Sequence, residues 1–176
     1  MKVILIRHTS VDVPRGTCYG QSDVPVRDTF EEEAQAVKDQ LSRYPAFDQV
    51  YASPLTRARK LAAYCGYPQP RLDNRLKEMY MGRWEMQRFD DIGDPYLQQW
   101  YDDFMNLPTP DGESFLTVYR RVAEFLDELK QHDYQRVAVF AHGGVIICAG
   151  IYAKLFTTET AWDNQPPYGG IVEIII

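Results

Sequence analysis

An α/β fold, a sheet covered on both faces by helices, is the class this sequence predicts, and three observations predict it. Residues 3–6 (VILI) and 137–141 (VAVFA) are apolar throughout, and a strand without polar alternation is buried on both faces. Phe115, Val118, Val122, Phe125, Leu126 and Leu129 recur with the 3.6-residue period of a helix facing a core. Strand candidates also run straight into helix starts, Ser53-Pro54 after 48–52 and Gly143-Gly144 after 136–141.

The bulk composition narrows the function classes. With 176 residues the chain fits one domain, and 45% hydrophobic with 25% charged residues is ordinary for a soluble globular protein. A net charge of −6 argues against nucleic-acid and anionic-membrane partners, which demand a basic face. Cys18, Cys65 and Cys148 are far apart and odd in number, so packing roles in a reducing compartment are expected, without disulfide or zinc. Met1-Lys2 followed by four apolar residues is too short for a signal peptide, and 137–153 holds His142 and glycines, so strand, turn and helix are expected there. A cytoplasmic location follows by default.

In chain order, residues 3–6 form the first strand and deliver Arg7-His8 at its end. The irregular stretch 9–27, with Pro14, Gly16, Gly20 and Pro25, is long enough to be functional. Asp28-Thr29 opens a helix to about Tyr44, with Thr29 and Glu32 spaced as a capping box. Residues 48–52 are the second strand; Ser53 is the expected N-cap of a helix over 55–65 that stops at Gly66. Residues 71–73 make a short edge strand. From 79 to 105, four methionines lie among Tyr80, Trp84, Phe89, Tyr96, Trp100, Tyr101 and Phe104, which reads as one or two short helices over an adaptable apolar surface. Glu113-Ser114 starts the long helix to about Lys130. A strand over 136–141, a helix over 145–155 and a closing strand over 170–176 complete the chain.

The chemistry gathers at strand ends, where open α/β sheets bind their ligands. Of three histidines, His8 and His142 end the two most apolar strands, while His132 sits in a charged helix end. Taken alone, Arg7-His8 is equally the look of a polar strand end. A second histidine in the same kind of place, followed by Gly143-Gly144 with free backbone N–H groups, points instead to a shared anion site. Arg57 and Arg59 lie in the first turns of a helix, where the helix dipole disfavours cations unless an anion binds nearby.

These residues resemble the histidine phosphatase superfamily, which includes the cofactor-dependent phosphoglycerate mutases. The family's R-H-G box is similar to Arg7-His8-Thr9, and its S-P-L-x-R-A segment to Ser53-Pro54-Leu55-Thr56-Arg57-Ala58. Its L-x-E box is similar to Leu76-Lys77-Glu78, its G-E-S helix start to Gly112-Glu113-Ser114, and its A-H-G-G box to 141–144. The resemblance implies a three-layer sandwich with a mostly parallel central sheet flanked by helices, carrying a small helical lid insertion at about 79–110. It implies His8 as nucleophile, Glu78 as proton donor and base, and Arg7, Arg57 and His142 around the phosphoryl group. Gly20, Gln21 and Gly143 are expected beside the phosphate as well. Glu85 and Glu113 are the competing carboxylates. No metal and no cofactor are implied, and a homodimer is compatible with the chain. Thr9 departs from the family glycine and brings a hydroxyl; Leu61 stands for the common threonine.

The short chain looks more like a hydrolase than a mutase, since mutases carry longer insertions. Residues 16–26 and 76–85 resemble the alpha-ribazole phosphatase group, whose reaction removes the 5′-phosphate of alpha-ribazole phosphate late in cobalamin synthesis. The implied partner is a small-molecule phosphomonoester, with phosphoglycerate mutase-type transfer or a broader sugar and small-molecule phosphatase as alternatives.

Overall fold

The computed structural model describes residues 1–176. Its centre is a five-stranded sheet of β1 (Lys2–Arg7), β2 (Gln49–Ala52), β3 (Arg71–Leu72), β4 (Arg136–Ala141) and β5 (Ile171–Ile175), in the order β3-β2-β4-β1-β5. β1, β2, β3 and β4 are mutually parallel, and β5 runs antiparallel along β1. The sheet is therefore mostly parallel and, with helices on both faces, forms the three layers expected of a phosphoglycerate mutase-like α/β sandwich.

The period of two in each strand divides the interior into two cores. Val3, Leu5, Val137, Val139 and Ala141 face α4 (Phe115–Leu129) and α5 (Gly143–Tyr152). Ile4, Ile6, Ala138 and Phe140 face α1 (Phe30–Leu41) and α2 (Thr56–Tyr64). α4 buries the six apolar residues named from its periodicity, and Ser114 caps it, its Oγ accepting from the Thr117 N–H. α5 is apolar nearly all round because it is covered on all sides. No helix is long and apolar enough to cross a membrane.

Three local expectations are corrected. Thr29 does not form a capping box: its hydroxyl donates to Glu33, which also accepts the Ser10 N–H and O–H, so the acid ties the loop after His8 to α1. α1 ends at Leu41, three residues before Tyr44. α5 begins at Gly143, two residues earlier than its apolar run suggests, because glycine at the start fits backbone that a side chain would obstruct. Within 79–110 the chain makes single 3-10 turns at Gly82–Trp84 and Phe89–Asp91, then the short helix α3 (Tyr96–Asp102).

Candidate active site

The parallel strands place their carboxyl ends side by side, and each ends in a polar residue of the site. His8 follows β1, His142 follows β4, and Ser53 follows β2. His8 N–H pairs with the Ala141 carbonyl and Ser53 N–H with the Phe140 carbonyl, so the sheet ladder itself extends into the site. The His8 and His142 rings lie 5.1 Å apart, with His8 only 2% exposed and His142 fully buried.

Each imidazole is fixed by one hydrogen bond. His8 Nδ1 lies 2.7 Å from the Thr9 carbonyl oxygen. A carbonyl only accepts, so Nδ1 carries the proton and Nε2 keeps its lone pair. That is the tautomer a nucleophile needs. His142 Nε2 lies 2.7 Å from Ser53 Oγ, which also accepts the Leu55 N–H at 3.3 Å, so the serine expected to cap α2 sits just ahead of the helix and orients the second histidine. Leu55 occupies the N-cap position of α2.

Two cations flank the histidines. Arg57 is completely buried and donates Nη1 to Ser22 O at 2.9 Å and Nη2 to Gly20 O at 2.6 Å. Arg59, its equal on sequence grounds, is exposed. Arg7 donates Nη1 to Pro166 O at 2.6 Å and lies against the ring of Tyr168, 4.3 Å from its centroid. Neither arginine forms a salt bridge, although buried charges ordinarily require a partner. Five buried side-chain polar atoms in the whole chain have no hydrogen-bond partner: Arg7 Nε, Thr9 Oγ1, Arg57 Nε, His142 Nδ1 and Trp100 Nε1. Four of them belong to residues gathered around His8. Such concentration of unsatisfied polar atoms beside unpaired cations is the signature of an anion site.

The field of those cations acts on the histidines. Burial, then the Arg57 guanidinium, then Arg7 push the His8 pKa down to about 3, against the opposing pull of the Thr9 carbonyl. Burial, Arg57 and His8 drive His142 well below the ordinary histidine value. Both rings are thus neutral near pH 7.

Of the three candidate carboxylates, geometry separates Glu78. Glu85 accepts the Gln21 and Ser22 N–H groups at 2.7 Å and the Ser22 hydroxyl, so it braces the loop whose carbonyls hold Arg57. Glu113 forms a salt bridge with Arg121 at 2.9 Å, and Arg121 in turn donates to the Glu78 carbonyl at 3.0 Å. Glu78 alone has its carboxylate turned to α5, accepting Gly144 N–H at 3.1 Å and Met79 N–H at 2.9 Å. Gly144 is required here, since a Cβ would collide with Glu78 Oε1. That atom ends a flexible side chain, so Gly144→Ala is expected to displace the carboxylate at little cost in stability. The expected outcome is a roughly 100-fold lower kcat with a melting temperature changed by less than about 3 °C, checked by steady-state kinetics and calorimetry. A kcat near wild type would remove Glu78 from the reaction.

The remaining expected phosphate ligands have other partners. The Gly20 carbonyl and the Gln21 side chain turn to protein, on Arg57 and on the Glu78 carbonyl respectively. They act on the groups around the anion site, through Arg57 and Glu78. Gly144 N–H, expected in a phosphate cradle, serves Glu78. Gly143 allows close approach, because a Cβ would lie 3.4 Å from Arg7 Cζ and press into Gln165 Nε2. The Thr9 hydroxyl is fully enclosed rather than open to solvent. No group of three His, Cys, Asp or Glu side chains stands where it could hold a metal ion.

A cavity of about 230 Å³ adjoins the site, sharing Arg7, Glu78 and Gly144 with it. Its other walls include Met79, Met81, Phe89, Trp100, Phe115 and Trp162. The methionine and aromatic run thus contributes a cavity wall. Cys18 lines it as a neutral thiol, its pKa pushed up to about 12 by burial. Gln165, Trp162 and Tyr168 were not singled out from the sequence. Only the Pro166-Pro167 and Gly169-Gly170 pairs bracketing Tyr168 hinted at an ordered turn there.

Comparison with known proteins agrees with this geometry. The family model described as "Histidine phosphatase superfamily (branch 1)" matches residues 3–176. The chain is 30% identical over 170 residues to the adenosylcobalamin/alpha-ribazole phosphatase of Salmonella typhimurium, covering 92% of this chain and 82% of that one. Among solved structures it is similar to the alpha-ribazole phosphatase of Shigella flexneri, with a TM-score of 0.88 at 25% identity, covering 100% of this chain and 91% of that one. A phosphoglycerate mutase from Thermus thermophilus superposes with a TM-score of 0.79 at 27% identity, covering 100% of this chain and 97% of that one.

Proposed function

The chain belongs to branch 1 of the histidine phosphatase superfamily and is a phosphatase; from that premise we propose a metal-independent phosphomonoesterase working through a phosphohistidine on His8. Its leading substrate is alpha-ribazole 5′-phosphate, an assignment that would put it in cobalamin synthesis. The phosphoryl group lies between Arg7, Arg57 and His142, whose unpaired donors meet its oxygens. His8 Nε2 attacks phosphorus, the P–O ester bond breaks, and the leaving oxygen takes the proton of Glu78. Water then gives its proton to the Glu78 carboxylate and its oxygen to phosphorus. The N–P bond breaks, releasing inorganic phosphate and restoring both side chains. The arginines stabilise charge on the transferring group throughout.

The observation that carries the substrate class is the cavity wall. Beyond the two charged groups it shares with the phosphoryl site, Arg7 and Glu78, the cavity is built largely from methionine, aromatic and small residues. A neutral planar heterocycle gains from burial there. A leaving group with its own carboxylate would be desolvated without a cation to receive it. That disfavours phosphoglycerate and phosphoserine, and with phosphoglycerate the mutase reading.

The test is a metal-free panel of alpha-ribazole 5′-phosphate, p-nitrophenyl phosphate, phosphoserine and 3-phosphoglycerate. The expected kcat/KM for alpha-ribazole 5′-phosphate exceeds that for the two carboxylates by at least about 100-fold, the worth of one badly desolvated charge. Equal rates on phosphoserine would overturn the substrate class. Phosphoryl transfer to phosphoglycerate faster than phosphate release would replace hydrolysis by mutase chemistry.

A further inference from the structure

Two tyrosines outside the catalytic set connect the two phosphate-facing arginines. Arg57 takes both its hydrogen bonds and a ring from one short segment: Gly20 O, Ser22 O and Tyr19, whose centroid is 5.2 Å from Arg57 Cζ. Arg7 takes the Pro166 carbonyl and the Tyr168 ring from another. These two segments come from opposite ends of the chain. A single hydrogen bond joins them, between the Tyr19 and Tyr168 hydroxyls at 3.0 Å. The Tyr168 ring also lies 5.6 Å from that of His8, so the bridge passes close to the nucleophile.

The bridge answers a physical problem of the site. Arg7 and Arg57 are two cations without a carboxylate partner, and they repel each other until a phosphate dianion comes between them. Left to loops alone, that repulsion would widen the gap and force the substrate to close it. An aromatic face attracts a guanidinium, so each ring holds its own arginine. The hydroxyl bond then holds the two rings at fixed separation. Burial first, and the Tyr168 hydroxyl next, raise the Tyr19 pKa, so the Tyr19 phenol stays neutral across the working pH range.

We propose that Tyr19 and Tyr168 are positioning residues, a brace that sets the spacing of Arg7 and Arg57 and so preorganises the phosphoryl site. The proposal rests on the reading that phosphate lies between those arginines at His8. A brace acts on the phosphoryl group and is blind to the leaving group; Tyr168 stands outside the cavity wall and isolates that effect, whereas Tyr19 lines the cavity as well.

The experiment is a double-mutant cycle of Tyr19→Phe, Tyr168→Phe and the double variant, which keep both rings, with Tyr168→Leu as the variant that removes one. Inorganic phosphate binding is measured by calorimetry, and kcat/KM on both alpha-ribazole 5′-phosphate and p-nitrophenyl phosphate. Each phenylalanine variant is expected to weaken phosphate binding about 2- to 10-fold, the worth of one hydrogen bond. The double variant is expected to match the single ones, because both remove the same bond. With Tyr168→Phe both esters should lose kcat/KM by the same factor, and Tyr168→Leu should lose more than Tyr168→Phe. Unchanged or tighter phosphate binding, additive losses, or a loss confined to one ester in Tyr168→Phe would overturn the brace. A wild-type protein that binds phosphate and hydrolyses neither ester would overturn the phosphatase reading and leave the brace to stand or fall on the binding data. Wild type that binds no phosphate would sink both.

Discussion

His8→Ala is expected to lower kcat/KM on every phosphomonoester by at least about 10⁴-fold while inorganic phosphate still binds within about threefold of wild type. The first figure is what loss of a covalent nucleophile costs when positioning groups survive. The second follows because Arg7, Arg57 and His142 supply the clamp, and His8 itself is neutral and contributes no charge to it. Quenching the wild-type enzyme during turnover with alkaline detergent should show phosphate bound to protein in an alkali-stable form that acid releases, as a phosphoramidate is, and none in the variant. Retention of a tenth of the activity in His8→Ala would mean that water attacks phosphorus directly.

The second large effect is on stability. In the unfolded chain both His8 and His142 titrate near the ordinary histidine value of about 6.5. In the folded protein His8 holds out to about 3 and His142 lies well below its usual value. Between those limits the unfolded state binds more protons, so stability rises with pH and is lost on acidification. The contribution is complete above about pH 6.5 and drains as pH falls towards 3. Each histidine adds a slope of at most about 1.4 kcal/mol per pH unit, hence at most roughly 3 kcal/mol per pH unit for the pair. Urea unfolding in acetate, from about pH 6 down to about pH 4.5, measures it. His8→Asn combined with His142→Asn should flatten the slope relative to wild type; an identical slope would place the acid sensitivity elsewhere. The same depressed pKa means that protonation of His8 does not set the acid limb of the rate profile until about pH 3.

Much of this site was legible because the groups that bear its chemistry sit at points the strand pattern marks. Val3 to Ile6 could only be an interior strand, so Arg7 and His8 had to emerge at its end, and the same reasoning found His142. Ser53 was misread because Ser-Pro before a helix satisfies the capping rule so well. Nothing local says that the hydroxyl faces a histidine 89 residues away. Helix position alone did not separate Arg57 from Arg59, since which one is buried depends on where α2 rests against the sheet; only the resemblance of 53–58 to the family segment selected Arg57. Gln21 was expected beside the phosphate from the family resemblance of its loop. Its partner, the Glu78 carbonyl, is a tertiary contact. Tyr168 lies in a turn with no periodicity, so its place over Arg7 exists only once β5 has folded back along β1.

That return of β5 has a consequence for how the protein is made. β1 is second to last in the sheet order, yet it pairs only with β4 and β5. β1 therefore leaves the ribosome as an apolar segment whose partners begin at Arg136 and at Ile171. At about 5–20 residues per second it waits several seconds or more with its edges bare. The β2–β3 pair and its flanking helices can form meanwhile, but the nucleophile's own strand cannot be seated until β4 and β5 exist. Slow synthesis should leave this protein more dependent on chaperones than its size suggests. The segment that carries β5 does two things at once, closing the sheet and bringing Pro166 and Tyr168 onto Arg7, so closure of the sheet and completion of the catalytic site are a single event.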